Sequence, residues 1–122
     1  MTVAYEAQEQ VTVFEWAAYQ AHVHPELELL YHIPNGGSRN VIEAYHLRKQ
    51  GVRAGVPDLC LPVARNGYHG LYIEMKRRKG GQVSVNQKRW LIALQAQGYK
   101  AVIACGADEA IRTILSYLEG VK

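Results

Sequence analysis

Two short runs of alternating apolar residues constrain this chain more than anything else in it: Asp58-Leu59-Cys60-Leu61-Pro62-Val63 and Leu71-Tyr72-Ile73-Glu74-Met75-Lys76. A period of two reads as strand, with successive side chains on opposite faces. Leu59, Leu61 and Val63 share one face of the first strand, and Leu71, Ile73 and Met75 share one face of the second. The opposite faces carry Asp58 and Cys60 on one strand, and Tyr72, Glu74 and Lys76 on the other. Asn66-Gly67 between them is a strong hairpin signal. A plain two-residue turn there would pair Asp58 with Met75 and leave Glu74 on the wrong face. The hydrophobic pattern requires Asp58 and Glu74 on the same face. The sequence therefore predicts an odd-length loop, or a bulge near Gly70, that shifts the register by one.

Two carboxylates beside one lysine make an expensive cluster on a core strand, and a divalent metal with a phosphate would explain it. Magnesium and similar hard cations take one or two carboxylates plus waters and phosphate oxygens. A neighbouring lysine can orient or activate the attacking water, or offset charge on the phosphate. A lone Glu-x-Lys more often marks a partly exposed strand face. Pro57-Asp58 on the adjoining strand, in an apolar setting, favours a site. Asp58, Glu74 and Lys76 are its candidate members.

The rest of the chain fits one domain, residues 1–122. Its 122 residues are 48% hydrophobic and 20% charged, the composition of a globular chain able to bury a core. Cys60 and Cys105 lie in apolar runs and are expected as two buried thiols. The first residues lack a basic segment followed by an apolar one, and no apolar run is long enough to span a membrane. A soluble, cytoplasmic protein is expected. Charge is divided unevenly. Residues 1–38 hold five acids and no Lys or Arg, whereas residues 75–107 hold seven bases and no acid. A basic tract of that kind suits a polyanion. Arg77, Arg78, Lys79, Lys88 and Arg89, with Arg39 and Arg53, are the candidate phosphate contacts.

Residues 3–23 read as a helix whose inner face carries Glu6, Gln10, Val13 and Ala17, flanked by Phe14 and Trp16, with Glu15 opposite. A carboxylate on an inner face needs a partner. Glu6 is thus the candidate third acidic metal ligand, and Glu9 the runner-up. Residues 27–33 read as a strand closed by Pro34-Asn35-Gly36-Gly37, and 39–50 as a second helix capped by Ser38 and stopped by Gly51. Ser84-x-x-Gln87 is a capping box opening a helix over 85–97. Gln87 shares its inner face with Trp90, Leu91 and Leu94. Gly98 ends that helix, 99–105 reads as a buried strand, and Asp108 starts a last helix with Ile111, Ile114, Leu115 and Leu118 as its apolar stripe. The five histidines are scattered, and none has zinc-ligand spacing.

Asn35-Gly36-Gly37, then Gly51-Val52-Arg53-Ala54-Gly55-Val56-Pro57-Asp58-Leu59, then Glu74-Met75-Lys76, then Ser84 with Gln87 and Trp90, together resemble the virus-type replication-repair nuclease (VRR-NUC) domain of the PD-(D/E)XK superfamily, in a stand-alone form. The resemblance implies an α/β fold with an αβββαβ core, a mixed central sheet flanked by helices, and the 39–50 helix as an insertion. It implies a Mg2+- or Mn2+-dependent endodeoxyribonuclease, with the Met75 backbone carbonyl joining the metal ligands and Gln87 helping to order the site. It further implies a homodimer acting on branched DNA such as Holliday junctions, with no nucleotide cofactor and no membrane partner. Flap or single-strand cleavage in repair is the near alternative. A non-catalytic DNA-shape-binding module and a protein-interaction domain are the more distant ones.

Overall fold

The computed structural model describes residues 2–34 and 40–120. The predicted strand pair lies at the centre of a four-stranded sheet in the order β1 (Tyr31–His32), β2 (Leu59–Leu61), β3 (Leu71–Lys76) and β4 (Lys100–Cys105). β1 and β2 pair antiparallel, as do β2 and β3, and β4 runs parallel to β3. The helices are α1 (Thr2–Gln20), α2 (Val41–Lys49), α3 (Val85–Ala96) and α4 (Ala107–Glu119). Without α2 and α4 the order is αβββαβ, the mixed sheet between helices that the sequence led us to expect.

The register resolves the parity conflict. Asn66 and Gly67 do form a two-residue turn, with φ of +55° and +85°, and Arg65 and Tyr68 exchange both hydrogen bonds around it. Positive φ at both central positions is the hairpin geometry that matches strand twist. Leu61 nevertheless pairs with Leu71 and Leu59 with Ile73. Residues 62–64 must therefore oppose only residues 69 and 70, so the extra residue lies on the first arm, across from Gly70. Pro62 has no N–H to give to the ladder, and Val63 N–H turns back onto the Leu61 carbonyl. The Tyr117 hydroxyl donates to the Val63 carbonyl at 2.6 Å and Asn66 Nδ2 donates to the Tyr117 carbonyl at 3.1 Å. α4 thus fastens the bulged arm, and the shifted register carries Asp58 towards Glu74.

One sheet face packs against α1 and α4. Val13 and Ala17 of α1 join Leu59, Leu61, Leu71, Ile73 and Met75, along with Ala110, Ile114 and Tyr117 of α4, in a continuous core. Glu15 is exposed and Glu6 and Gln10 are half-buried, as the wheel for α1 predicts. α3 packs against β4.

Several local expectations are corrected. Residues 27–33 are not one strand: Pro25–Leu29 is a 3-10 helix, and only Tyr31 and His32 pair. Pro25 opens that turn, and the i, i+3 spacing of Leu27 and Leu30 buries both. α2 is capped by Asn40, whose side chain accepts from the N–H groups of Ile42 and Glu43. The Ser38 cap, the Asn35-Gly36-Gly37 segment and Arg39 lie outside the described residues. Cys60 is buried, but Cys105, at the end of β4, is exposed. Among the described residues no helix is long and apolar enough to cross a membrane.

Candidate active site

Asp58 reaches the site because the loop before it has little freedom. Gly55 sits at φ +91°, and a Cβ there would come within 2.7 Å of the Asn86 backbone. The loop therefore lies flat on the first turn of α3. Pro57 beyond it is fully buried. Asp58 Oδ2 then accepts the Met75 N–H at 2.8 Å, while the Asp58 carbonyl accepts the Ile33 N–H at 2.7 Å. β3 and the residue just after β1 thereby hold Asp58 from both sides.

Glu74 is 2% exposed and Lys76 8% exposed. Lys76 Nζ stands 3.5 Å from Glu74 Oε2, its stem walled by Gly81, where a Cβ would meet Lys76 Cβ at 3.1 Å. Gln87 Nε2 donates to the same Glu74 oxygen at 2.9 Å. The other oxygen, Oε1, is buried without a protein hydrogen bond. Burial pushes the Glu74 carboxyl up to about 8, the neighbouring Asp58 carboxylate adding to the rise and Lys76 opposing it. Burial also raises Asp58, against the Met75 N–H that lowers it. Two carboxyls share one dry corner with one ammonium.

Gln87 fills both roles open to it. Its Oε1 accepts the Ser84 N–H at 2.9 Å, and Ser84 Oγ accepts the Gln87 N–H at 3.1 Å, completing the capping box. Because the cap uses the amide oxygen, the amide nitrogen is left to face Glu74. The cap thus fixes which end of the side chain enters the site.

Glu6 and Gln10 of α1 line a cavity of about 220 Å³ with Ala7, His32, Asp58 and Met75. Glu9 is drawn away: Arg78 Nε and Nη2 donate to its two oxygens at 2.9 and 3.3 Å, and Asp108 lies 3.8 Å from the same guanidinium. Glu6, not Glu9, is therefore the acid that faces Asp58. Among the described residues, however, no three His, Cys, Asp or Glu side chains converge to hold a metal ion. The expected set of Glu6, Asp58 and Glu74 shares one neighbourhood without closing into an all-side-chain site. A magnesium-type ion needs only one or two carboxylates. The raised Asp58–Glu74 pair, with a buried acceptor oxygen lacking a partner, fits such a cation, whose charge would relieve the desolvation of both.

His32 was missed by the sequence reading, which looked for zinc spacing. Its Nδ1 lies 2.9 Å from the Asp58 carbonyl, an acceptor, so that nitrogen donates to it. The signal was its place on a strand just before Pro34, too weak to separate it from the other four histidines. The basic residues are spread out. Lys79, Lys88, Arg89 and Arg53 are exposed and Arg77 is half-buried. Arg77, Arg78 and Lys79 line a larger cleft of about 600 Å³ with Gln8, Glu9 and Thr12. That cleft begins one residue beyond Lys76.

The VRR-NUC domain family matches residues 2–108. The chain belongs to the VRR-NUC family. A solved structure described as a VRR_NUC domain protein is similar at 29% identity and a TM-score of 0.76, over 93% of this chain and 88% of that one. No curated protein matches. This VRR-NUC domain is accordingly a nuclease domain of the PD-(D/E)XK type, with DNA as the substrate class.

Proposed function

We propose that the chain is a metal-dependent endodeoxyribonuclease in which Asp58, Glu74 and the Met75 carbonyl would hold Mg2+ or Mn2+, with Glu6 lining the same cavity as Asp58. The observation that carries the reading is the close Asp58–Glu74 pair, both carboxyls raised by burial, with Lys76 beside it. The cation supplies Lewis acidity at the scissile phosphate when bound. The chain's own residues do the rest. Lys76 holds the attacking water and balances charge on the phosphate. Gln87 fixes the Glu74 carboxylate. Water oxygen bonds to phosphorus as the P–O bond to the sugar breaks; the water gives up a proton to solvent and the leaving sugar oxygen takes one up from solvent. Arg77 and Lys79 line the adjoining cleft, and Lys88 and Arg89 extend from α3, to hold the phosphates of the strand.

Nothing in this equipment reads base identity, so selection rests on DNA shape. Branched DNA cut by a homodimer, as the family resemblance implies, fits a small domain with little surface of its own. α2 supports a second chain: none of its residues is buried, and Val41 (82%), Ile42 (68%) and Tyr45 (47%) are exposed. The test is cleavage of a labelled four-way junction beside a flap, a single strand and a matched linear duplex, with the sedimentation of the free protein measured alongside. Preferential, paired nicking of the junction by a dimer is expected. Cutting of the flap alone, or activity in a monomer, would overturn the junction assignment.

A further inference from the structure

The sheet face that carries Asp58 and Glu74 also carries a band of aromatic rings that the hydrolytic chemistry does not use. Tyr31, Cys60 and Tyr72 lie side by side in register across β1, β2 and β3. The Cys60 side chain stands between the two rings, opposite Tyr31 on one side and Tyr72 on the other. Tyr99 meets Tyr72 edge-on at 5.3 Å and 78°, and His69 meets Tyr99 at 5.8 Å. Tyr31, at the outer end of the band, is 48% exposed.

The position of this band matters more than its existence. Cys60 follows Asp58 by two residues and Tyr72 precedes Glu74 by two, so the rings stand one pleat from the carboxylates on the same face. Two residues of strand span roughly 6.6–6.8 Å, about one step of an extended nucleotide backbone. Aromatic rings on one side of the carboxylates and a basic tract leaving the far end of β3 on the other are together equipment that holds unpaired bases and their backbone.

We propose that Tyr31, supported by Cys60 and Tyr72, stacks on an unpaired base next to the scissile phosphate. The inference rests on the nuclease reading and narrows its substrate to DNA with an unstacked nucleotide at the cut, such as a branch point or flap base. Continuous duplex keeps its bases paired and presents no face to the ring.

The test is equilibrium binding of full-length protein to a branched DNA in which each nucleotide flanking the cut is replaced in turn by an abasic one. Wild type, Tyr31→Phe and Tyr31→Leu are compared, with cleavage of the unmodified DNA recorded separately. Wild type should lose roughly tenfold or more in affinity at one position. Tyr31→Phe should keep that penalty. Tyr31→Leu should bind the intact DNA as weakly as wild type binds the abasic one, with no further loss at the abasic position. A penalty that survives unchanged in Tyr31→Leu, or no position-specific penalty in wild type, would overturn the stacking surface. Failure to cut any DNA would sink the nuclease reading instead, and the binding comparison would still decide the stacking surface.

Discussion

Replacing Glu74 by Gln should make the metal-free protein more stable while abolishing its response to metal. The Glu74 carboxyl is raised from 4.5 to about 8 in the fold. The unfolded chain loses this proton near the lower value, so between the two the native state binds more protons and stability falls as pH rises. The penalty is absent below about pH 4.5, grows across the interval, and is complete above about pH 8. Taken at face value, 3.5 units at 1.36 kcal/mol each give an upper limit of about 5 kcal/mol. Movement of the carboxylate towards Lys76 and entry of water reduce that to about 2–3 kcal/mol. A glutamine at 74 keeps an oxygen for the Gln87 amide and presents an N–H2 towards Asp58. Thermal unfolding in EDTA at pH 8 should therefore place Glu74→Gln above wild type by roughly 6–15 °C. The gap should shrink strongly towards pH 5, and only the groups not coupled to Glu74 cancel in the difference. Magnesium or manganese should raise the melting temperature of wild type and leave Glu74→Gln unmoved. A variant less stable than wild type at pH 8, or a difference that does not change between pH 5 and 8, would refute the account of Glu74.

Other consequences follow from the same geometry. Gln87→Glu keeps the capping oxygen but removes the donor to Glu74, so cleavage should fall roughly 10–100-fold with helicity retained by circular dichroism; unchanged turnover would remove Gln87 from the site. Gly55→Ala meets both a positive φ and the Asn86 backbone, and chemical denaturation should show a loss of about 2 kcal/mol or more. Lys88→Ala and Arg89→Ala should each lower the slope of log affinity against log salt by about one. Arg78→Ala should lower it less, because Glu9 and Asp108 already engage that guanidinium.

The parts of this molecule that could be read from its sequence are those set by local period. Alternation in β2 and β3 was enough to demand a register shift, because a one-residue slip exchanges every side chain between core and site. The α1 wheel placed Glu6 and Gln10 towards the cavity for the same reason. What escaped was set by contacts distant in sequence. The arm holding the extra residue depends on Tyr117, 54 positions from the Val63 carbonyl it binds. The ion pair that withdraws Arg78 from the basic tract spans 69 positions. Residues 27–33 looked like a strand because leucines three apart suit a 3-10 turn and a buried strand alike. Gln87 posed a choice between cap and site that only the orientation of one amide could show to be false.

The central claim is that the Asp58–Glu74–Lys76 corner hydrolyses phosphodiester bonds, and the most direct test is the nicking of labelled branched DNA. Wild type, Asp58→Ala and Lys76→Ala would be compared with magnesium, with manganese and with EDTA, each variant first shown to be folded. The account predicts metal-dependent nicking by wild type, none in EDTA, and none by either folded variant. Tight binding without cleavage under either metal, or cleavage by Lys76→Ala at the wild-type rate, would contradict it.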